Sequence, residues 1–270
     1  MMRAYPRSEA NRLHPGGLTR RTVLRAGAAL VALSPLARQA APAAAQPWPM
    51  PEQVTAEGRA YDAYVPAATK PGQFAYYTCE FDAAWVILKT FGLDVPLEDQ
   101  LAVVTLDRSV EPYAVPTDGG YVIYGGDIGT AFSGDYTSNF LARTTGAAMR
   151  PLFAAYGLDV RKVSSRRGLE KMLRAGALVW MKSTVDFQPW EPVTWVAPDG
   201  SEFPGVLGND HAVVVMGYDV DGVLIRDVLG PTNTNWGRTQ EYRVDWDTFL
   251  AVAEAQGFDM LAVSAQASGA

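Results

Sequence analysis

The stretch Gln73–Gly92, QFAYYTCEFDAAWVILKTFG, constrains the fold more than any other, because it predicts a helix with almost no polar face. From Phe81 to Phe91, residues Ala84, Ile87, Leu88 and Phe91 make one side, and Phe81 and Trp85 fill another. Asp82 and Lys89 lie on a single narrow stripe. A helix apolar nearly all round belongs inside a core, so the rest of the chain must wrap it. Gly92-Leu93-Asp94 supplies its stop. At its first turn stands Cys79, the only cysteine in the sequence. A thiol there, beside the positive end of the helix dipole, suits a nucleophile and equally a small buried cysteine.

The first 45 residues read as something other than fold. Thr19-Arg20-Arg21-Thr22-Val23-Leu24-Arg25 precedes an apolar, alanine-rich run from Ala26 to Leu36, and Ala41, Ala43, Ala44 and Ala45 follow. A charged segment, a short apolar segment and an A-x-A site make an export signal, and the paired arginines point to the twin-arginine route and its machinery. The expectation is a signal over 1–45, one domain over 46–270, and an extracytoplasmic address. The apolar run is too short to span a bilayer.

The whole chain carries 23 basic and 29 acidic residues; the first 45 hold seven arginines and Glu9, which leaves 16 basic and 28 acidic and a net charge near −12. Such a surface repels nucleic acid and anionic lipid, so neither is an expected partner once the signal is gone. One cysteine excludes an intramolecular disulfide framework. Of two histidines, His14 falls in the signal, so Cys79 and His211 stand alone in the remainder. That pair cannot make a Cys/His zinc site, and no cofactor or metal is expected.

Along the chain, Ala60–Val65 reads as a short strand, and Pro96 opens a short helix. Asp107–Tyr136, rich in glycine and tyrosine without clear periodicity, reads as a cleft-lining loop; no Gly-Lys-Ser/Thr makes it a phosphate loop. A helix over Met149–Tyr156 leads to a strand over Leu158–Val163. Ser164 or Ser165 caps a helix that Gly176 ends, and an apolar strand follows over Ala177–Ser183. A hairpin turns at Pro198-Asp199-Gly200. Strands follow over His211–Tyr218, Gly222–Val228 and, at an edge, Gln240–Val244. Asp245 caps a last helix before a strand over Phe258–Val263. Helices first and mostly antiparallel strands after make an α+β pattern. Asp219-x-Asp221-Gly222 reads as a turn, since the later ligands of a calcium loop are absent.

Singly, Cys79 reads as core filler, His211 as a strand-end residue and Asp227 as a turn acid. Together with Gln73 they form a pattern: Gln-x5-Cys at a helix start, then HAVVVMGY, then an acid at LIRD. In these motifs the chain resembles the papain-like cysteine peptidases, and more closely their bacterial C39-like group. GGDIGTAFSGDY and DGVLIRDVLGP add to the likeness, which runs from about Ala60 to Phe249. The resemblance implies a central Cys-bearing helix packed against a mostly antiparallel sheet, and a peptide or protein substrate.

It also implies roles. Cys79 attacks a carbonyl as thiolate, His211 moves the proton, and Asp227 orients the imidazole through its other nitrogen. The Gln73 amide and the Cys79 N–H hold the oxyanion. Where many relatives have Gly-Pro after the cysteine, this chain has Glu80-Phe81. Glu80 and Asp82 oppose a thiolate yet favour a protonated His211, so they pull in opposite directions on the ion pair. Register poses a further condition. A two-residue turn at Asp221-Gly222 would set Asp227 opposite Met216, on the face away from His211; same-face placement requires an odd loop or a bulge at Gly222. Two other readings use the same fold: a silent peptide- or glycan-binding module built on Trp190, Trp195, Trp236 and the glycine-rich segment, and a thiol acyltransferase.

Overall fold

In a computed structural model the structure describes residues 54–56, 58–188 and 190–266. The export-signal reading lies outside these residues. The described chain begins with β1 (Val54–Ala56), β2 (Arg59–Tyr61) and β3 (Ala63–Tyr64). Where one strand over Ala60–Val65 is expected, two form, because the chain changes partners at Asp62. Before it β2 pairs with β1, and after it β3 pairs with a core strand.

Next come α1 (Cys79–Thr90), α2 (Leu97–Val103), β4 (Leu106–Asp107), β5 (Tyr113–Thr117), β6 (Gly120–Tyr124) and β7 (Phe132–Ser133). They are followed by α3 (Gly146–Ala155), β8 (Leu158–Val163), α4 (Arg166–Arg174) and β9 (Leu178–Thr184). The chain continues with β10 (Pro192–Val196), β11 (Glu202–Val206), β12 (Asp210–Tyr218), β13 (Gly222–Arg226), β14 (Glu241–Asp245), α5 (Trp246–Ala255) and β15 (Met260–Ala265). Helix starts follow local chemistry: Ser165 accepts from Gly168 N at 3.2 Å, and Asp245 accepts from Thr248 N at 2.9 Å.

The fold is α+β. Its main sheet runs β14-β13-β12-β9-β15-β8, with β3 added beside β12, and every pairing in it is antiparallel. Helices cover both faces. Phe81, Val86, Ile87 and Leu88 of α1 and Met149, Leu152 and Phe153 of α3 pack with Trp180, Val214 and Met216 on one side. On the other, Leu169 and Leu173 of α4 and Phe249 and Val252 of α5 pack with Val179, Val213 and Val215. Double coverage explains why β12 is apolar without alternation. Full burial of Phe81, Val86, Ile87 and Leu88 of α1 contributes about 1.5–3 kcal/mol each, so packing rather than propensity holds this helix.

Two expectations are corrected here. Asp107–Tyr136 is not a cleft-lining loop. Tyr113–Thr117 and Gly120–Tyr124 form an antiparallel hairpin, and β6 joins β10 in parallel to complete the sheet β11-β10-β6-β5. This sheet has a small core of its own, built on Ile123, Ile128, Leu141, Val193 and Trp195. Asp82 is not part of a polar stripe either; it is fully buried.

Candidate active site

Asp82 organises the loop that leads into α1. Its Oδ1 accepts from Phe74 N at 2.9 Å and lies 2.9 Å from Lys70 Nζ, while Oδ2 accepts from the Thr78 hydroxyl at 2.7 Å. The turn 73–78 is thereby folded over the first turn of the helix. Its Gln73 amide lies with one terminal atom 3.2 Å from Cys79 N and the other 3.1 Å from Tyr76 O. With oxygen toward Cys79 both contacts are hydrogen bonds. A half-turn of the amide instead sets two donors side by side, the arrangement an oxyanion needs.

His211 is the second residue of β12 and is almost completely buried. Its Nε2 lies 2.8 Å from Asp227 Oδ1. The strand register makes this contact possible. Tyr218 pairs with Val223, leaving a four-residue connection, and the register then slips by one residue at Met216. Beyond the slip Val215 faces Ile225 and Val214 faces Arg226, so the same register carries Asp227 level with Val213. Asp227 and His211 therefore share a face and meet diagonally across the strands. The bulge lies in β12, not at Gly222. Gly217 follows it where a side chain would press against β3, a Cβ there falling 2.7 Å from Ala63 O.

Asp227 is surrounded by donors. Leu229 N reaches Oδ1 at 2.8 Å, and Arg238 Nη1 and the Tyr242 hydroxyl reach Oδ2 at 3.1 and 3.0 Å. Burial alone would raise its pKa, but His211, Arg238 and the Leu229 N–H outweigh it and hold the carboxyl below the usual range. The same burial, with Asp227 beside it, pushes the Tyr242 hydroxyl well up, so that it stays a neutral donor. An ionised Asp227 on Nε2 fixes the neutral ring with its proton there, leaving Nδ1 as the basic nitrogen. Arg238 also lies 2.6 Å from Asp186 Oδ1 and donates to Leu229 O and Gly230 O at 3.0 Å.

Cys79 and His211 line one cleft of about 260 Å³ with Gln73, Tyr76, Tyr77, Phe140 and Leu229. No hydrogen bond joins Cys79 to His211 among the described residues. The thiol instead donates to Glu80 Oε2 at 3.2 Å. Burial first, then the charge of Glu80, pushes the Cys79 thiol well above its ordinary value, so Glu80 opposes a thiolate as its place next to the cysteine implies. Glu80 Oε1 in turn lies 2.6 Å from Lys182 Nζ, which lies 2.6 Å from Asp210 Oδ2.

Lys182, Asp210, Arg238 and Tyr242 are absent from the sequence reading. Lys182 does leave a signal: a lone charge in the apolar strand LVWMKST has to find an acid in the core. The alternative tryptophan platform is dispersed, since Trp195 is buried in the smaller sheet's core while Trp236 is exposed. Asp219 serves a turn clamped by arginine, accepting from Asp221 N and Gly222 N at 2.9 and 3.1 Å and from Arg59 Nε at 2.8 Å. Among the described residues no helix is long and apolar enough to cross a membrane.

No protein-family model matches the chain. A solved Bacillus anthracis structure, described as that of a candidate C39-like peptidase, superposes with a TM-score of 0.56 at 19% identity, over 76% of this chain and 98% of that one. The fold is therefore the C39-like peptidase fold. In sequence, the chain is 29% identical over 176 residues to the uncharacterized protein YvpB of Bacillus subtilis (strain 168), a match spanning 61% of this chain and 63% of that protein.

Proposed function

We propose that the chain is an exported cysteine peptidase that cleaves amide bonds of peptides or proteins. The observation that carries the reading is the 2.8 Å contact that Asp227 makes with His211, which lines the same cleft as Cys79 and Gln73. The chemistry runs as acyl transfer. The Cys79 proton passes to His211 Nδ1, and sulfur adds to the substrate carbonyl as the imidazolium, held by Asp227, returns a proton to the leaving amine. Water then hydrolyses the thioester. The developing oxyanion is met by Cys79 N–H and by the Gln73 amide after its half-turn.

The cleft is smaller than the roughly 300–1,000 Å³ typical of small-molecule pockets. It suits one residue of a longer chain, with Tyr76 and Phe140 exposed at its rim. The export reading rests on Arg20-Arg21 and the apolar run after them; Arg20→Lys with Arg21→Lys is expected to leave the protein in the cytoplasm.

The test is incubation of the full chain, under reducing conditions, with a peptide library and with an unfolded protein substrate, read by mass spectrometry. The expected result is discrete cleavage products that vanish in Cys79→Ala. Cleavage that persists in that variant, or none in the unaltered chain, ends the peptidase reading. Adding a primary amine separates hydrolysis from acyl transfer.

A further inference from the structure

The ion cluster behind Cys79 is not needed by the chemistry just described, yet it contacts the nucleophile directly. Glu80 is fully buried, and its two oxygens are used differently. Oε1 faces Lys182 Nζ at 2.6 Å and Thr144 N at 3.3 Å. Oε2 has one hydrogen bond among the described residues, from the Cys79 thiol at 3.2 Å. The backbone is pinned as well, because Trp180 Nε1 donates to Glu80 O at 3.0 Å and holds the first turn of α1 against β9.

Lys182 then joins two chain neighbours of the reacting residues. Glu80 follows Cys79, Asp210 precedes His211, and Lys182 Nζ lies 2.6 Å from a carboxylate oxygen of each. Asp210 is itself held by Gln256 Nε2 at 3.0 Å, with Arg143 Nη1 3.9 Å away. A thiolate at the observed sulfur position would lie against the Glu80 carboxyl in a largely buried position, where charge is poorly screened.

We propose that Glu80 is a positioning residue for the nucleophile: a latch that holds the resting Cys79 as a neutral thiol bonded to Oε2 rather than to His211, with Lys182 setting its strength and tying it to the His211 strand. The latch opens when the Sγ–H leaves Oε2 and turns into the cleft, where His211 receives the proton. The proposal rests on Cys79 being a nucleophile only for its purpose; the contact itself is measurable without turnover.

The charged groups that face Glu80 are Cys79 on its own helix, Lys182 on β9, and Asp210 at the start of β12 with Arg143 beside it. Asp259, just before β15, is buried near enough for the Lys182 charge to act on it. Burial alone would lower the Lys182 pKa, but Asp210 and Glu80 hold it raised, so it remains a cation throughout the range tested. The carboxylate and the ammonium therefore act on the thiol with opposite sign.

The test is the rate of Cys79 alkylation by iodoacetamide against pH, on the full folded chain, followed by mass spectrometry with circular dichroism as the check on folding. Glu80→Gln keeps the side-chain shape, removes the charge and can present an N–H to sulfur. It is expected to alkylate roughly tenfold faster at neutral pH, with its pH profile moved to lower pH. Lys182→Met is expected to move the profile to higher pH, and Lys182→Arg to restore it. Should Lys182→Met fail to fold, Glu80→Gln and Lys182→Arg still decide. A folded Glu80→Gln that alkylates with the unaltered profile overturns the latch. A shift in the expected directions without any peptide cleavage keeps the latch and removes the peptidase reading instead.

Discussion

Around Asp227, three donors converge on a carboxylate that faces the imidazole; around Cys79, a carboxylate faces a weak donor and a lysine holds it there. Both clusters are buried, and each balances acid with base. Their effects on the cleft differ. On the Asp227 side the carboxyl is held ionised and orients the ring through Nε2. The Glu80 side favours a neutral partner, since sulfur gains charge only against Glu80. The difference shows that burying charge does not by itself activate a group; what matters is which side chain the carboxylate faces.

Four measurements would break or sharpen this contrast. The largest effect is expected from Asp227→Asn, which keeps the shape but loses control of the imidazole tautomer. A fall of about 10⁴-fold in kcat on a cleaved peptide is expected, with KM little changed. A loss confined to KM would place Asp227 in substrate binding instead.

Next is Lys182→Met, which leaves Glu80 and Asp210 sharing no cation between them. Removing one partner of a buried pair costs about 3–5 kcal/mol, measured by urea unfolding. A loss below about 1 kcal/mol would mean that the cluster behaves as a solvated surface pair.

Tyr242→Phe on the opposite side should cost less, about 0.5–1.5 kcal/mol, because Arg238 and Leu229 N still satisfy Asp227. A larger cost would make the hydroxyl, not the guanidinium, the main support of that carboxylate.

The smallest effect is the pH dependence of stability, and its sign differs between the clusters. The folded pKa of Asp227 is depressed, so its contribution is present above the unfolded value of about 3.9 and is lost as pH falls through the folded value. The folded pKa of Cys79 is raised, so its contribution is complete below the unfolded thiol value of about 8.5 and is lost as pH rises through the folded one. Asp227→Asn should flatten the acid limb of a stability–pH curve, and Cys79→Ala the alkaline limb. An alkaline limb unchanged in Cys79→Ala would assign it to other groups.

Much of this was legible from the residues, for reasons that differ by element. The central helix, the strand Leu158–Val163 and the Ser165 and Asp245 caps depend on neighbours in sequence, and each lies close to where local chemistry sets it. The hairpin at 113–124 was hidden because its partner strand, Pro192–Val196, lies far along the chain and its glycines resemble loop punctuation. In the cleft, Cys79 and His211 stood out by rarity, and Gln73 and Asp227 by their spacing from them. Lys182, Asp210 and Arg238 could not be paired from sequence, because ion pairs across three segments leave no periodic trace. The slip at Met216 was equally invisible, although the need for some slip followed from side-chain alternation.

The Cys79–Glu80 contact also bears on oxidative damage. Oxidation of a cysteine proceeds through the thiolate, and the folded protein disfavours that form by setting the sulfur against Glu80. The unfolded chain offers the same sulfur exposed and free of Glu80's constraint. With a single cysteine in the sequence, a sulfenic acid formed there has no intramolecular thiol to convert it to a reversible disulfide. The same contact that restrains the resting sulfur therefore also slows its oxidation in the folded chain, and the unfolded chain lacks that restraint.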